Sequence, residues 1–340
     1  MSQAVDTLNV ENLQKYLEAN IPDFGTIQEC SKFAGGQSNP TFLVRTEKSK
    51  YVLRRKPPGL LLKSAHAVDR EYRVMKALEG TGVPVPKMYV LCDDDSVIGS
   101  MFYVMEFMDG RILWNGALPE QSPAERGAMY EDMVRVLAAM HKVDLEKAGL
   151  SDYGRPGNYF ERQIKRWTEQ YRASETDKKP GMEKLMEWLP ANVPTDDGQV
   201  ALSHGDYRID NLVFHKTEPR IIAVLDWELS TLGHPWADLA YQCMQLRLPP
   251  DCAMPGLGGL DLKALGIPSE EAYVARYCEL MGIKEIPNWN FYIIFSFFRI
   301  AAILQGVYKR ALDGNASSKK AMDYGALAGP LADMAVALIK

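Results

Sequence analysis

The chain has 340 residues, 46% of them hydrophobic and 24% charged, so it can bury a large core and is long enough for two domains. Its formal net charge of -5 provides no overall basic field for a nucleic-acid backbone, and a small-molecule partner is favoured instead. Residues 1–10 show no basic segment followed by an apolar run, and the apolar stretch 291–304 is interrupted by Arg299. We therefore expect a cytoplasmic protein with a core helix at 291–304 and no membrane segment. The five scattered cysteines fit reduced packing residues.

Alternating apolar residues and turn signals divide the first hundred residues into short elements. Helical spacing covers 10–20 and 65–79, and Gly80 and Gly82 provide a stop after the second helix. Strand alternation covers five segments: 27–33, 41–45, 51–54, 88–92 and 101–107. These elements predict a five-stranded antiparallel sheet with one inserted helix.

The pattern changes after a turn at residues 106–110, and helical spacing dominates from there. We therefore predict an N-terminal lobe over 1–108 and a mainly helical lobe over 109–340. Within the second lobe, short strands at 199–202, 212–215 and 221–225 each lie next to a group of polar residues. Loops carried by such strands are frequent places for catalytic groups.

Three side chains next to these short strands have the chemistry that phosphoryl transfer needs. Asp206 is followed five residues later by Asn211, and Asp226 ends the apolar strand at 221–225. A carboxylate can orient an acceptor hydroxyl, while an amide oxygen and a second carboxylate can hold Mg²⁺ ions that bridge phosphate oxygens. The pattern indicates a magnesium-dependent phosphotransferase.

The segment from His204-Gly205-Asp206 to Asn211, with Asp226, resembles the aminoglycoside phosphotransferase and choline kinase family, which is related to the protein kinases. The resemblance covers nearly the whole chain and is strongest to the branch fused to, or encoded with, acyl-CoA dehydrogenases. It implies an α+β, protein-kinase-like fold of two lobes. It also implies that Asp206 acts as base or orienting group, that Asn211 and Asp226 bind Mg²⁺, and that ATP or GTP is the donor.

The N-terminal half matches the family's nucleotide-binding features. The turn at 35–41 resembles the loop that covers the phosphates, Glu71 on the inserted helix would pair with a strand cation, and residues 105–108 would form the hinge beside the base. In the usual Lys position stands Arg54, so either Arg54 or Lys56 makes the phosphate contact. The predicted nucleotide-binding residues are Gly35, Gly36, Ser38, Asn39, Val52, Arg54, Glu71, Glu106 and Met108.

Two other functions remain open at this stage. A kinase-like binding module without strong catalysis would explain Arg54, and a metal-dependent hydrolase would use His204, His215 or His234 with nearby aspartates. We interpret His204 and Asp238 as structural braces of the catalytic loop, whereas Glu228 fits a metal-site or an exposed position equally well.

The acceptor is predicted to be a small molecule with a hydroxyl group. Residues 241–315 contain seven acidic and seven basic side chains, whereas a pocket for a polycationic drug favours an acidic excess. The acyl-CoA dehydrogenase association suggests a hydroxyacyl compound or its CoA thioester as acceptor.

Overall fold

A computed structural model describes residues 8–33, 39–57, 67–314 and 321–339. The chain divides into two compact units, and we call Met1–Arg111 with Ile222–Leu229 unit 1, and Ile112–Ile221 with Ser230–Lys340 unit 2. The predicted loop residues Gly35, Gly36 and Ser38 lie outside the described residues.

Unit 1 is built on a five-stranded antiparallel sheet, as predicted, with the strand order β1-β2-β3-β5-β4. Its strands are β1 Ile27–Lys32, β2 Thr41–Thr46, β3 Lys50–Arg55, β4 Met88–Cys92 and β5 Phe102–Glu106. Its helices are α1 Val10–Asn20, α2 Val68–Leu78 and the short α3 Asp95–Ile98. β3 therefore lies at the centre of the sheet, and β5 separates it from β4.

The central strand β3 sends alternate side chains to opposite faces of the sheet. Leu53 belongs to a buried apolar cluster with Leu13 and Leu17 of α1 and Phe102 of β5. Arg54 lies directly opposite Tyr103 on β5, and directly opposite side chains share one face of an antiparallel pair. The helix α2 packs next to β5, so the face that carries Arg54 and Tyr103 is the face that α2 covers.

Unit 2 is mainly helical, as predicted. Its helices are α4 Pro123–His141, α5 Tyr159–Ser174, α6 Pro180–Ala191, α7 Pro235–Met244, α8 Leu262–Leu265, α9 Glu270–Met281, α10 Trp289–Leu312, α11 Ala321–Gly325 and α12 Ala328–Val336. The strand β6 Arg111–Ile112 spans the point in the chain where unit 2 begins, and unit 2 also contains β7 Ala201–Ser203, β8 Leu212–Phe214, β10 Thr231–Gly233 and a 3-10 turn at Ile209–Asn211. The strand β9 Ile221–Val224, apart from Ile221, and the 3-10 turn at Trp227–Leu229 belong to unit 1. The strands β7 and β10 pair antiparallel, and the loop 204–211, which carries Asp206 and Asn211, follows β7 in the chain.

The long helix α10 forms the centre of unit 2 and packs against α5, α7, α11 and α12. Within the part of the chain that the structure describes, it is the one helix long and apolar enough to cross a membrane by length and composition alone. However, 78% of its most apolar 18-residue window is buried inside the protein. This burial agrees with the core helix predicted at 291–304, although the helix extends further in both directions.

The helix α7 was absent from the predicted elements. All ten of its residues are buried, so no face of the helix is exposed to solvent. Its N-terminus nevertheless has ordinary signals: Pro235 is the first helical residue, and the His234 side chain accepts a hydrogen bond from the Trp236 N–H.

We expect Leu53→Ala to lower the free energy of unfolding by about 3 kcal/mol, because it leaves a cavity in the fully buried centre of the sheet. Leu312→Ala is the matched control: Leu312 is exposed at the end of α10, and its loss should change stability by less than about 0.5 kcal/mol. Chemical denaturation measures both variants. Equal losses in the two would contradict the assignment of this core.

Candidate active site

Arg54 is the centre of a buried ion cluster in unit 1. Its guanidinium lies 3.1 Å from a Glu71 carboxylate oxygen, 2.7 Å from Asp226 and 3.7 Å from Glu228. Burial opposes the charge on Arg54, but these carboxylates outweigh burial and raise the pKa of the guanidinium. Lys56, the alternative phosphate-binding cation, instead lies 3.5 Å from Asp69. Of the two, Arg54 is therefore the cation that pairs with Glu71.

Glu71 is a buried acid on an otherwise apolar face of α2, whose other buried residues are Val68, Val74, Met75 and Leu78. Its two carboxylate oxygens accept hydrogen bonds from the Asn39 amide at 2.9 Å and from the Tyr103 hydroxyl at 3.1 Å. Burial is the largest influence and raises the pKa of Glu71, against the lowering effect of Arg54. These donors explain how a carboxylate is accommodated at this depth.

Asp226 follows the end of β9 and has left-handed backbone geometry, with φ of 63°, which Asp tolerates better than most residues. The next residue, Trp227, is fully buried, and its indole N–H donates to the Val224 carbonyl at 2.9 Å. The buried indole anchors the turn, while Asp226 keeps about a third of its side chain exposed. The turn thus presents a carboxylate beside Arg54.

In unit 2, the loop 204–211 carries Asp206, and both carboxylate oxygens of Asp206 accept hydrogen bonds. The Tyr241 hydroxyl donates to Oδ1 at 2.7 Å, and the Asn211 amide donates to Oδ2 at 3.1 Å and to the Asp206 carbonyl at 2.9 Å. The Arg208 guanidinium lies 3.5 Å from Oδ1. Burial tends to raise the pKa of Asp206, but Arg208 and the Tyr241 hydrogen bond outweigh it, so the pKa is lowered. Asp206 is therefore ionised at neutral pH.

The loop itself is held by the buried Asp238 of α7. The Asp238 carboxylate accepts the backbone N–H groups of His204 at 2.6 Å and Gly205 at 2.9 Å. His141 lies 3.5 Å from the same carboxylate. His204 is fully buried, and its Nδ1 accepts the Asp206 N–H at 3.2 Å. Both braces that the sequence predicted are confirmed.

The other predicted nucleotide-binding residues in the described part of the chain, Val52, Glu106 and Met108, lie in or next to the strands of the sheet. Val52 is buried in β3 between Leu43 and Met105 of the neighbouring strands. Glu106 donates its N–H to the Lys87 carbonyl at 2.9 Å, and the Met108 carbonyl accepts the Gly110 N–H at 3.0 Å. These contacts shape the segment after β5, and its recognition of a nucleotide base stays a prediction.

The histidines of the hydrolase alternative have local partners. The Nδ1 atoms of His204, His215 and His234 each accept a backbone N–H from within three residues along the chain. Within residues 8–33, 39–57, 67–314 and 321–339, no group of three or more His, Cys, Asp or Glu side chains is arranged to hold a metal ion. A histidine-rich metal centre of the hydrolase type is therefore not supported by the described residues.

The sequence reasoning missed two tyrosines that contact the site. Tyr103 donates to Glu71, and Tyr241 donates to Asp206. Tyr241 follows Asp238 by three residues, and residues at this spacing share a helix face. Helical spacing from Asp238 was therefore an available signal for Tyr241, whereas Tyr103 is brought to Glu71 by strand pairing that the sequence did not specify.

The chain belongs to the phosphotransferase enzyme family, whose profile matches residues 29–269. Among similar proteins, mouse acyl-CoA dehydrogenase family member 10 is 49% identical over 327 residues, which cover 95% of this chain and 30% of that protein. Human acyl-CoA dehydrogenase family member 11 is 44% identical over 335 residues, covering 97% of this chain and 43% of that protein. The chain thus spans less than half the length of these relatives. The resemblance to the acyl-CoA dehydrogenase-associated branch is confirmed.

Solved structures agree with this assignment. A protein from Ralstonia eutropha JMP134, assigned as an aminoglycoside phosphotransferase, is 51% identical with a TM-score of 0.89, and the match covers 98% of each chain. A spectinomycin phosphotransferase in complex with ADP and spectinomycin has a TM-score of 0.63 at 14% identity, covering 96% of this chain and 98% of that one. The second likeness shows the fold alone. The kinase-like fold expected from the sequence is confirmed.

We expect Asp238→Asn to lower the free energy of unfolding at pH 7 by about 3 kcal/mol, because the loop N–H groups lose a buried charged acceptor. Burial would raise the pKa of Asp238, but the His141 hydrogen bond and further donors outweigh it and lower the pKa below its ordinary value of 3.8. The stabilisation by this carboxylate is therefore present above pH 3.8 and is lost as the pH falls further.

Urea denaturation of wild type and Asp238→Asn between pH 3 and pH 7 measures this contribution. The stability difference should be largest at neutral pH and should shrink on the acid side. Asp144→Asn is the control, because Asp144 is exposed and forms an ion pair with Lys147. A difference that stays constant with pH would show that the Asp238 charge does not stabilise the loop.

Proposed function

We propose that this protein is a magnesium-dependent small-molecule kinase that transfers the γ-phosphoryl group of ATP to an alcohol hydroxyl. The placement of Asp206 carries the proposal: both of its carboxylate oxygens accept hydrogen bonds, from Asn211 and Tyr241, and its lowered pKa favours the ionised form. A fixed, ionised carboxylate is suited to accepting a hydrogen bond from an incoming hydroxyl and orienting it for attack.

Asn211 and Asp226 fit the role of Mg²⁺ ligands. The Asn211 amide nitrogen donates to Asp206, and this bonding leaves the amide oxygen as the atom for a metal. Asp226 offers a partly exposed carboxylate, and Mg²⁺ prefers such hard oxygen ligands. When bound, the metal would neutralise charge on the transferred phosphates. GTP as donor remains an alternative that the same side chains serve equally well.

Arg54 supports nucleotide binding rather than a purely structural role. Its guanidinium is held by Glu71 on one side and by Asp226 on the other, so a cation is fixed beside the proposed metal ligand. Such a cation suits contact with the α- and β-phosphates. The binding-module alternative needs neither an ionised Asp206 nor this fixed arrangement.

The chemical step follows from these roles. The acceptor oxygen attacks the γ-phosphorus, the bond from phosphorus to the β,γ-bridging oxygen breaks, and ADP leaves. The hydroxyl proton passes to Asp206 and then to solvent. Because the pKa of Asp206 is lowered, the carboxylate orients the hydroxyl more than it withdraws its proton early, which suits a loose transition state.

For the acceptor, we propose a hydroxyacyl compound or its CoA thioester. Relatives that share 43–49% identity carry the name acyl-CoA dehydrogenase family member, and this chain matches 30–43% of their length. The balanced charge of residues 241–315 also disfavours a polycationic drug. A functional link to an acyl-CoA dehydrogenase, and action in the cytoplasm without nucleic acid or membrane, belong to the same proposal.

The nucleotide site is tested by thermal unfolding with ATP or GTP, each with and without Mg²⁺. We expect a rise in Tm that requires both metal and triphosphate, because a ligand at 100 times its Kd stabilises the folded state by about 2.7 kcal/mol. AMP with Mg²⁺ is the control. The absence of any shift at millimolar nucleotide would overturn the kinase proposal and favour the binding module.

Substitution of Asp206 and of Asp226 should have different effects on turnover and on nucleotide binding. Asp206→Ala should reduce turnover on the order of 100-fold or more while keeping the Mg²⁺-dependent nucleotide shift, because it removes the group that orients the acceptor. Asp226→Ala should weaken the shift itself, because it removes a metal ligand. Turnover would be assayed on 2-, 3- and 4-hydroxyacyl compounds as free acids and CoA thioesters, with kanamycin as the polycationic comparison. Equal losses of binding and turnover in both variants would refute this division of roles.

A further inference from the structure

The hydroxyl of Tyr241 forms a hydrogen bond with the Asp206 carboxylate. It donates to Oδ1 at 2.7 Å, and the tyrosine side chain is buried in α7 with 2% of its surface exposed. The hydrogen bond joins residues 35 positions apart in the chain. Short bonds from a hydroxyl to a carboxylate are among the stronger hydrogen bonds in proteins, so this contact restrains the acid.

Tyr241 and Asn211 hold Asp206 at different oxygens. Asn211 donates to Oδ2, and Tyr241 donates to Oδ1. The torsion that rotates a carboxylate about its terminal bond is broad and weakly restrained by itself. Two donors, one on each oxygen, fix the plane of the group. Each carboxylate oxygen has a second lone pair, so an acceptor hydroxyl can still bind.

Tyr241 is itself held by a buried cation. The Arg299 guanidinium of α10 lies 5.5 Å from the Tyr241 ring centroid and 5.6 Å from that of Trp167 on α5. The same guanidinium donates to the Gly205 carbonyl, one residue before Asp206. Arg299 thus connects the ring of Tyr241 to the backbone of the loop that Tyr241 restrains.

The helix α7 contacts the loop twice from one face. Asp238 accepts the N–H groups of His204 and Gly205, and Tyr241, one helical turn later, donates to the Asp206 side chain. The first contact fixes where the loop backbone lies. The second fixes how the reacting carboxylate is turned, a property that folding of the loop alone does not require.

We propose that Tyr241 is a positioning residue for phosphoryl transfer, whose hydroxyl fixes the plane of the Asp206 carboxylate for the acceptor hydroxyl. The inference rests on the proposed kinase function. It assigns Tyr241 no contact with nucleotide, so its loss affects the transfer step and leaves nucleotide binding in place.

The test is Tyr241→Phe, which keeps the ring and its contact with Arg299 and removes the hydroxyl. We expect kcat to fall about tenfold or more, with KM for MgATP within about twofold of wild type and an unchanged nucleotide-induced rise in Tm. Turnover is measured as MgATP hydrolysis, with water as acceptor, and on the hydroxyacyl panel.

Tyr130→Phe is the matched control. Tyr130 is also a buried tyrosine of unit 2, and its hydroxyl donates to the Gly116 carbonyl at 2.9 Å, so the variant loses a comparable hydrogen bond without touching Asp206. It should keep the wild-type kcat. Tm values for both variants, measured without nucleotide, define a temperature at which each is fully folded during the assay.

The outcomes distinguish the positioning role of Tyr241 from the proposed kinase function. A Tyr241→Phe enzyme with wild-type kcat overturns the positioning role and leaves the kinase function standing, and so does a rise in KM for MgATP with kcat unchanged. An equal fall in kcat in Tyr130→Phe also overturns it, because any lost tyrosine hydroxyl would then suffice. A wild type with no turnover on water or on any panel compound overturns the proposed function, and the positioning role with it.

Discussion

The hydrogen bonds between the Asp238 carboxylate and the backbone N–H groups of His204 and Gly205 are the constraint on which the Asp206 loop of unit 2 depends. The loop that carries Asp206 forms neither helix nor strand at residues 204–208, so its backbone N–H groups need acceptors from elsewhere. A fully buried carboxylate supplies the missing acceptor, and its charge makes these bonds stronger than neutral ones. The position of Asp206 follows from this attachment.

In unit 1 the buried charge is a cation, and carboxylates compensate it. Arg54 is a cation in the middle of a sheet, and burying it is acceptable because Glu71 and Asp226 lie within 3.1 Å of it. Its planar guanidinium can contact two carboxylates at once, which a lysine ammonium does less specifically. Asn39 and Tyr103 complete the hydrogen bonding of Glu71, so the cluster retains its geometry without leaving its acids unsatisfied.

The sequence was informative wherever a signal is local. Alternation and helical spacing predicted the five strands of unit 1 and α2, and their bounds differ from the structure by a few residues at most in the described parts. The order of the strands was not predicted, because pairing β3 with β5 instead of β4 depends on packing between distant segments. The helix α7, which is buried on every side, was not among the predicted elements.

By itself, the sequence determined the chemistry: the residue types of Asp206, Asn211 and Asp226, their spacing, and the family to which they belong. Tertiary structure alone decided that Arg54, and not Lys56, meets Glu71, and that Tyr241 holds Asp206. The sequence shows which side chains are available to form a site. Long-range packing decides which side chains come into contact, because it sets the distances between them. Burial decides which of them are charged, because it sets the free-energy cost of ionisation.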